Sequence, residues 1–598
     1  MRFFAVIRST VPIPEGQRLE IERRISSVHA QSAAWKAQIG WHEFCQNNVY
    51  TTFIVSDPIE SRVSVEDSFE FMAGFADNGS IQEVKESYFL KNGRMYLSDS
   101  APGTFVAASH RKSDGTLLGF ASRPCAVPAF YYDRHNIFAM SSDAIVVALI
   151  AEVLDRTTVR LSRGYAADYL AWGYSYREKS PFEDVQALPP GACLIVRGVS
   201  GVKIREYSRF DQVDFKDATV AEKAKSLAES LTASVGRIPD SELVNLRLSG
   251  GKDSRVLLSA LAGGQKSFEA ETRGRQSDLE VGIASEIAKR AGARHIVSNV
   301  AMASPDGLFE SASTSIQRMA GHLSAEPQQI MFEGANPQHI GQYLMMGHSH
   351  IQRGGFARTM RNDPSRVLAS LQKQCSPFVS DELRRESDDW VTDWYSGQSF
   401  SDYIEPLYEL HVQKRASFYL LPQYRDYSNV VKLHYPLIGH DFVSKCDALT
   451  VFDRVSEQVI FLAAVAQFRE IMNVPLCDDL WNFDRNGKSD ILPEEFDART
   501  GGFTLPETGK SKSGGDSYNS ASIANLSTAL HFIVDSGDLG FLSSVCSQEV
   551  LDILKAKEPA NPLEKLKAAD PVRFDLLRRY IWRMYAVCVW STRAWFSA

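Results

Sequence analysis

The run Ser249-Gly250-Gly251-Lys252-Asp253-Ser254 brings together the residue types needed to hold a polyphosphate. Two adjacent glycines let the backbone approach a ligand closely and take dihedrals that a Cβ forbids. Ser249 and Ser254 add hydroxyl donors. Asp253 belongs beside an anion only if a cation lies between them, and Mg²⁺ on a phosphate fits. The GxxxxGK[ST] spacing of a Walker A loop is absent. Taken alone, the glycine pair reads as an ordinary tight turn with Asp253 as a solvated first-turn carboxylate. The six residues together, between a strand and a helix, are what point to phosphate chemistry.

The flanking segments must position that turn. In ELVNLRL (242–248), Val244, Leu246 and Leu248 alternate with Leu243, Asn245 and Arg247, as in a strand entering a core. Val256, Leu257, Ala260 and Leu261 then share one helical face, and Gly263 and Gly264 stop the helix. Its first amides lack intrahelical partners and sit at the positive end of the helix dipole, which favours an anion there. SFEAETRG (267–274) predicts a second strand ending in Thr272, Arg273 and Gly274. A helix follows, with Ser277 and Glu280 as a capping box and Leu279, Ile283 and Ile287 on the buried face. ARHIVSNV predicts a third strand. Alternating strands and helices with short links predict a parallel, doubly wound sheet with its ligand past the carboxyl ends of the strands. Asp278 reads equally as a ligand contact and as a carboxylate stabilising its own helix dipole. A further strand, YLMM, ends at Gly347 and leads into His348, Ser349, His350, Ile351, Gln352 and Arg353. Two histidines straddling a serine past a strand end make His348 a candidate base or positioning group. Arg353, beside Gly354 and Gly355, is either a cradle for phosphate or carboxylate or a surface arginine on a turn.

SGGKDS resembles, residue for residue, the SGGxDS pyrophosphate loop of the ATP pyrophosphatase family, which cleaves ATP to give an adenylated substrate and pyrophosphate. Residues 103–149 resemble the stretch where glutamine-dependent asparagine synthetases carry GDFAF…RD…PLYY…FASE, and ALPPGACLIVRGVSGVKIREYSRF (187–210) resembles the segment closing their amidotransferase domain. The implied fold is α/β plus α+β. Residues 1–210 would form a β-rich, Ntn-amidotransferase-like domain. Residues 211–598 would form a doubly wound, parallel-sheet synthetase domain of the adenine nucleotide α-hydrolase type, with helical additions. Those synthetases carry a nucleophilic cysteine after the initiator methionine, whereas Arg2 stands here and Cys45 lies far inside the chain. The first domain is therefore expected to be a scaffold without glutaminase activity.

The synthetase half also departs from the pattern. GHSHIQRGG replaces GxGxDE and lacks its acidic pair, and the family's later aspartate falls at Gly439, followed by His440 and Asp441. In the polar loop 484–518, Lys512, with Lys510 close behind, matches a family lysine that neutralises phosphate charge, though both also read as solvated loop lysines. The resemblance implies ATP and Mg²⁺ as cofactors, with Asp253 on the metal. Leu248, Ser249, Gly250, Gly251 and Ser254 would hold the nucleotide together with Thr272, Gly274, Gly347 and Arg353, and His348 and Lys512 would serve catalysis. Within the family, lasso-peptide cyclases, macrolactam synthetases related to β-lactam synthetases, are most similar. They imply a precursor peptide as substrate and a leader-binding peptidase as partner. The alternatives are a small-molecule ligase of asparagine- or β-lactam-synthetase type and a nucleotide-binding homologue without catalysis.

The remaining chain limits these readings. A length of 598 residues exceeds one core, so two or more domains are expected. A net charge of −8 offers no basic field for nucleic acid. AIVVALIAEVL (144–154) is too short to span a membrane, and MRFFAVIRSTVPIPEG lacks a signal-peptide hydrophobic region. Eight scattered cysteines form no CxxC pair, which suits a reducing cytoplasm. Helices are predicted near 142–153 and 220–238, through most of 365–480, and beyond 519. The terminal VRFDLLRRYIWRMYAVCVW is either a docking surface for a peptide or a packed helix with snorkelling arginines.

Overall fold

The computed structural model describes residues 3–29, 38–57, 62–66, 70–77, 81–298, 307–324, 341–347, 350–359, 366–399, 402–428, 431–477, 479–485 and 522–596. It is a mixed α/β molecule with two antiparallel sheets, a small mixed sheet and one parallel sheet. The short alternating runs of the first third become β1 (Phe4–Ser9), β2 (Gln38–Gln46), β3 (Val49–Asp57), β4 (Arg62–Glu66), β5 (Glu70–Asp77), β6 (Tyr88–Lys91), β7 (Arg94–Ser98) and β8 (Thr104–Arg111). They continue as β9 (Leu117–Ala121), β10 (Phe130–Arg134), β11 (Ile137–Ser141), β12 (Gln186–Ala187), β13 (Ala192–Val196), β14 (Lys203–Glu206) and β15 (Ser208–Phe210).

Two six-stranded antiparallel sheets result, in the orders β12-β10-β11-β1-β3-β2 and β14-β13-β9-β8-β5-β4. Period-2 alternation explains their layering. Phe4 and Val6 of β1 face Val106, Leu194 and Val196 across the sandwich. Ala5 and Ile7 point the other way, onto α1 (Glu15–His29) and α3 (Ala144–Asp155). The outer face of the second sheet is covered by α2 (Ile81–Glu86) and the small sheet β15-β7-β6. Asp143 caps α3 by accepting from the amides of Ile145 and Val146. A ten-residue helix, α4 (Arg163–Trp172), follows and stops at Gly173 in the left-handed region.

After α5 (Val220–Gly236), opened by a Thr219–Glu222 capping box, come β16 (Val244–Arg247), α6 (Lys252–Gly263), β17 (Phe268–Arg273), α7 (Leu279–Arg290), β18 (Arg294–Ser298), β19 (Tyr343–Met345) and β20 (Lys432–His434). All five strands pair in parallel in the order β18-β17-β16-β19-β20. The chain therefore steps outward from β16 on one side and returns to add β19 and β20 on the other.

One expectation changes. The Ser277–Glu280 capping box does not form: α7 starts one residue later with Asp278 at its cap, and no side chain caps it. The Asp278 carboxylate instead accepts from the Arg275 amide, closing the preceding turn. Of the two readings of the terminal helix, the packed one holds: in Pro571–Ser591 the side chains of Tyr580, Trp582, Tyr585 and Trp590 are all buried. Its core is shared with α3 and α4, so apolar packing crosses residue 210.

Candidate functional site

In a doubly wound sheet the ligand crevice opens where neighbouring connections leave in opposite directions, past the carboxyl ends of the strands. Here that point lies between β16 and β19. The segments leaving these two strands are SGGKDS and the run from Gly347 to Arg353. They touch. A Cβ on Gly347 would sit 3.1 Å from the Asp253 carbonyl carbon and from the Ser254 nitrogen, so the glycine eases a close approach of the two segments.

The loop holds its own shape. Ser254 Oγ accepts from the Ser249 amide (3.1 Å) and lies 2.9 Å from Ser249 Oγ, which in turn accepts from the Gly251 amide (3.2 Å). Gly251 stands at the start of α6 and supplies no side-chain cap, leaving the dipole end open to an anion. Gly250 is pressed from the other side, where an added Cβ would meet Cys477 Cβ at 2.8 Å. Arg255, fully buried, anchors the turn from below by donating to the carbonyls of Val474, Pro475 (2.9 Å) and Gly250 (3.5 Å). Burial, with Arg290 nearby, lowers its guanidinium to about 9. Burial also raises the Glu280 carboxyl, against a hydrogen bond from the Gly250 backbone. Glu280, expected in a capping box, thus reaches the loop instead.

Around the loop lies a buried charge network that sequence spacing did not reveal. Arg353 grips Asp253 with a fork, Nε to Oδ1 and Nη2 to Oδ2, both at 2.9 Å. Gln352 Nε2 donates to the same Oδ1 at 2.7 Å, and His350 Nδ1 lies 3.2 Å from Oδ2. Arg353 Nη1 continues to Glu457 Oε1 at 3.1 Å, and the other Glu457 oxygen takes Lys252 Nζ at 2.7 Å. Lys252 also lies 3.3 Å from Asp479 and over the Trp481 ring. Lys252, Asp253, Arg353 and Glu457 are all buried. Burial alone would raise the Asp253 carboxyl, but the Arg353 charge, with hydrogen bonds from His350 and Arg353, holds it well below the usual carboxylate range.

This arrangement bears on the expected metal. A divalent ion held by Asp253 needs its carboxylate lone pairs, and these already receive N–H donors from the Arg353 cation and the Gln352 amide. Asp253 as placed does not fit a Mg²⁺ ligand. Among the described residues no group of three or more His, Cys, Asp or Glu side chains is placed to hold a metal ion.

The other expected site residues fall into two groups. Thr272 and Leu248 do lie at the strand ends, but Thr272 Oγ1 is engaged with the Leu248 carbonyl and with His295, both at 2.9 Å. Gly274 has φ +155°, and a Cβ there would meet Asp278 and Val281 at 3.0 Å. Arg353 lies at the site, as a partner of carboxylates rather than as an exposed arginine. His348, Ser349, Lys510 and Lys512 lie outside the described residues. His440 and Asp441 turn towards the antiparallel sheets: the His440 amide donates to Gly103, its ring meets Phe105 and Tyr207, and Asp441 faces Gly103 and Ser230. Cys45 is exposed on β2, and all eight cysteines are free thiols.

No helix among the described residues is long and apolar enough to cross a membrane. No family model matches the chain, and no curated protein matches it. One solved structure similar over part of the chain is described as the structure of the allosteric regulatory enzyme of purine biosynthesis. It is 8% identical, covers 51% of this chain and 82% of that one, and has a TM-score of 0.22. A likeness of that size leaves the fold and the site to be argued from their own strands, loops and charges.

Proposed function

We propose that the loop after β16 binds the pyrophosphate portion of an adenine nucleotide, and that the chain is an ATP-dependent amide-forming enzyme working through an acyl-adenylate. One observation carries the reading. A glycine-bearing turn and an uncapped helix start lie at the carboxyl edge of a parallel sheet, at its topological switch point, against the segment leaving the strand across that switch. ATP supplies the activation: a carboxylate oxygen becomes part of the leaving group AMP, which an amine displaces. The protein's share is to bind and orient. Ser249, Ser254 and the first amides of α6 receive the phosphates, and Leu248, Thr272 and Gly274 border the nucleoside. Holding an amine beside the activated carboxyl accounts for much of the rate.

Following the sequence resemblance, the substrate is a precursor peptide whose α-amine and an Asp or Glu side chain close a macrolactam, and a leader-binding peptidase is the partner. A second reading, nucleotide binding without turnover, is favoured by one feature: the Asp253 carboxylate is engaged by Arg353. Release of AMP and pyrophosphate from ATP separates the two. Peptide-dependent release, with a product lighter by one water, supports the cyclase. Release with aspartate and ammonia points to the small-molecule ligase. Nucleotide binding without release leaves the second reading. Gly251→Ala is the test variant, because a Cβ there meets only Ser249 Oγ at 3.3 Å while it narrows the approach to the helix start. Loss of nucleotide binding in that variant is expected, and full binding would sink the placement of the ligand.

A further inference from the structure

Asp253 is the one acidic side chain in the loop, and its surroundings assign it a partner that is part of the chain. Arg353 meets both of its oxygens at 2.9 Å. The guanidinium is itself held from its far side by Glu457 at 3.1 Å, and Glu457 also fixes Lys252 at 2.7 Å. Each carboxylate therefore sees a cation, each cation sees a carboxylate, and the four groups form one buried chain: Asp253, Arg353, Glu457, Lys252. A planar fork matched to a carboxylate in this way is a strong, directional, charge-assisted pair. Removing it to admit a metal would strip Arg353 of its main partner inside the protein, which is costly for a buried charge.

We propose that Arg353 occupies the cation position of this loop, so that the protein carries a built-in positive group where a divalent ion would otherwise sit on Asp253. Asp253 and Glu457 are then positioning residues: they set Arg353 and Lys252 beside the start of α6 and leave no metal-ligand role for Asp253. Metal reaching the site arrives with the phosphates of its ligand and is not anchored by this carboxylate. The charge arrangement stands without any nucleotide; its use for phosphate rests on the function proposed above.

The two parts can be tested separately. Mn²⁺ is titrated into the full-length protein without nucleotide, with free ion followed by electron paramagnetic resonance. Wild type and Asp253→Asn are expected to take up Mn²⁺ equally, within twofold. Arg353→Gln, which uncovers the carboxylate, is expected to gain at least tenfold in affinity, and the gain is expected to vanish in the Arg353→Gln/Asp253→Asn double variant. A wild-type Mn²⁺ site weakened tenfold or more by Asp253→Asn overturns the proposal. Should these variants fail to fold, crystals of the wild type soaked in MnCl₂ decide: an anomalous peak on the Asp253 carboxylate overturns it, and an intact Arg353 fork with no peak there supports it. Pyrophosphate binding is then measured by calorimetry in EDTA and in Mg²⁺. Comparable binding in both supports a built-in cation, whereas Mg²⁺-dependent binding abolished by Asp253→Asn overturns it. Absence of pyrophosphate binding in either buffer removes the nucleotide reading, while the Mn²⁺ result still decides the role of Arg353.

Discussion

At Glu457 the backbone sits in the left-handed region, φ +65° and ψ +6°, between the helices Val451–Ser456 and Gln458–Gln467. A non-glycine residue held there costs about 1–3 kcal/mol, so the surrounding contacts must outweigh it. They do so through its carboxylate, which takes Lys252, Arg353 and the Asn482 amide. Glu457→Ala leaves two buried cations short of a partner and is expected to lower unfolding stability by about 3–5 kcal/mol. Glu457→Gly loses the same carboxylate but relaxes the backbone, so it should be less destabilising than Glu457→Ala by about 1 kcal/mol. Urea unfolding of the pair measures both effects, and a glycine variant no better than alanine would remove the backbone part. None of this was legible in the sequence. The loop announced itself because its glycines, serines and aspartate are contiguous. Glu457 is 205 residues from Lys252 and 104 from Arg353, and pairings at such separations leave no periodic trace. Arg353 was visible as a candidate, but its direction was set by Asp253 rather than by the glycines beside it.

For the strand–turn–helix unit the sequence was more informative, because period-2 alternation and a glycine stop are local signals that folding preserved in β16 and α6. The capping pattern at Ser277 and Glu280 failed for a tertiary reason: Glu280 is drawn to the Gly250 backbone on a neighbouring element. Close approach between elements gives the next prediction. Gly250 leaves 2.8 Å for a Cβ before Cys477 Cβ, and Gly347 leaves 3.1 Å before the backbone of Asp253 and Ser254. Gly250→Ala is expected to cost about 1–3 kcal/mol by overpacking, and adding Cys477→Gly should return part of it because the opposing Cβ is gone. Gly347→Ala presses on backbone that cannot swing aside, so it should displace the start of α6 and weaken pyrophosphate binding about tenfold. Thermal melts and calorimetry read these separately. Additivity of Gly250→Ala with Cys477→Gly would show that the two positions are not coupled.

Over the whole molecule, strand membership and core membership divide the chain differently. The strands of the first three sheets end at Phe210 and those of the five-stranded parallel sheet begin at Val244, yet Ile145, Leu149, Tyr165 and Trp172 share a core with Leu577, Tyr580 and Trp590. Polar contacts cross at the same places: Trp172 donates to Ser387 at 2.9 Å, Tyr169 to the Ser324 carbonyl at 2.7 Å, and Arg209 pairs with Asp447 at 3.0 Å. Such a seam is invisible to composition, because a helix buried against its own sheet and one buried against a distant helix look alike. Residues 1–210 expressed alone should therefore expose the far faces of α3 and α4, bind a hydrophobic dye, and melt without a cooperative transition. Co-expression with 211–598 should restore cooperative unfolding, and a sharply melting, dye-free 1–210 would refute the shared core.

The same seam predicts how acid acts on stability. His322 lies among Phe130 and Tyr165, and His440 among Phe105 and Tyr207, both pairs contributed by the first third of the chain. Burial is the leading cause that lowers His322 and His440 to about 4; it does the same to His110, also about 4, and takes His434 to about 3. In the unfolded chain these imidazoles titrate near 6.5. Between about pH 6.5 and 4 the unfolded state therefore binds more protons, and stability rises with pH by about 1.4 kcal/mol per pH unit for each proton. Above 6.5 this contribution is complete; it drains away as pH falls towards the folded values. Burial raises the carboxyls of Glu280, Glu405 and Asp441, which take up protons on folding and oppose the trend. Asp253 acts lower still, since Arg353 holds its carboxyl below the ordinary range and its contribution is lost only below about pH 4. Burial lowers His295 as well, so the net slope should be positive but smaller than five protons. His322→Gln isolates one of them: whatever it does to absolute stability, it should reduce the slope of unfolding free energy between pH 6.5 and 4.5 by about one proton. Urea melts at half-unit pH steps measure that slope, and an unchanged value in the variant would mean that His322 is already protonated in the folded seam.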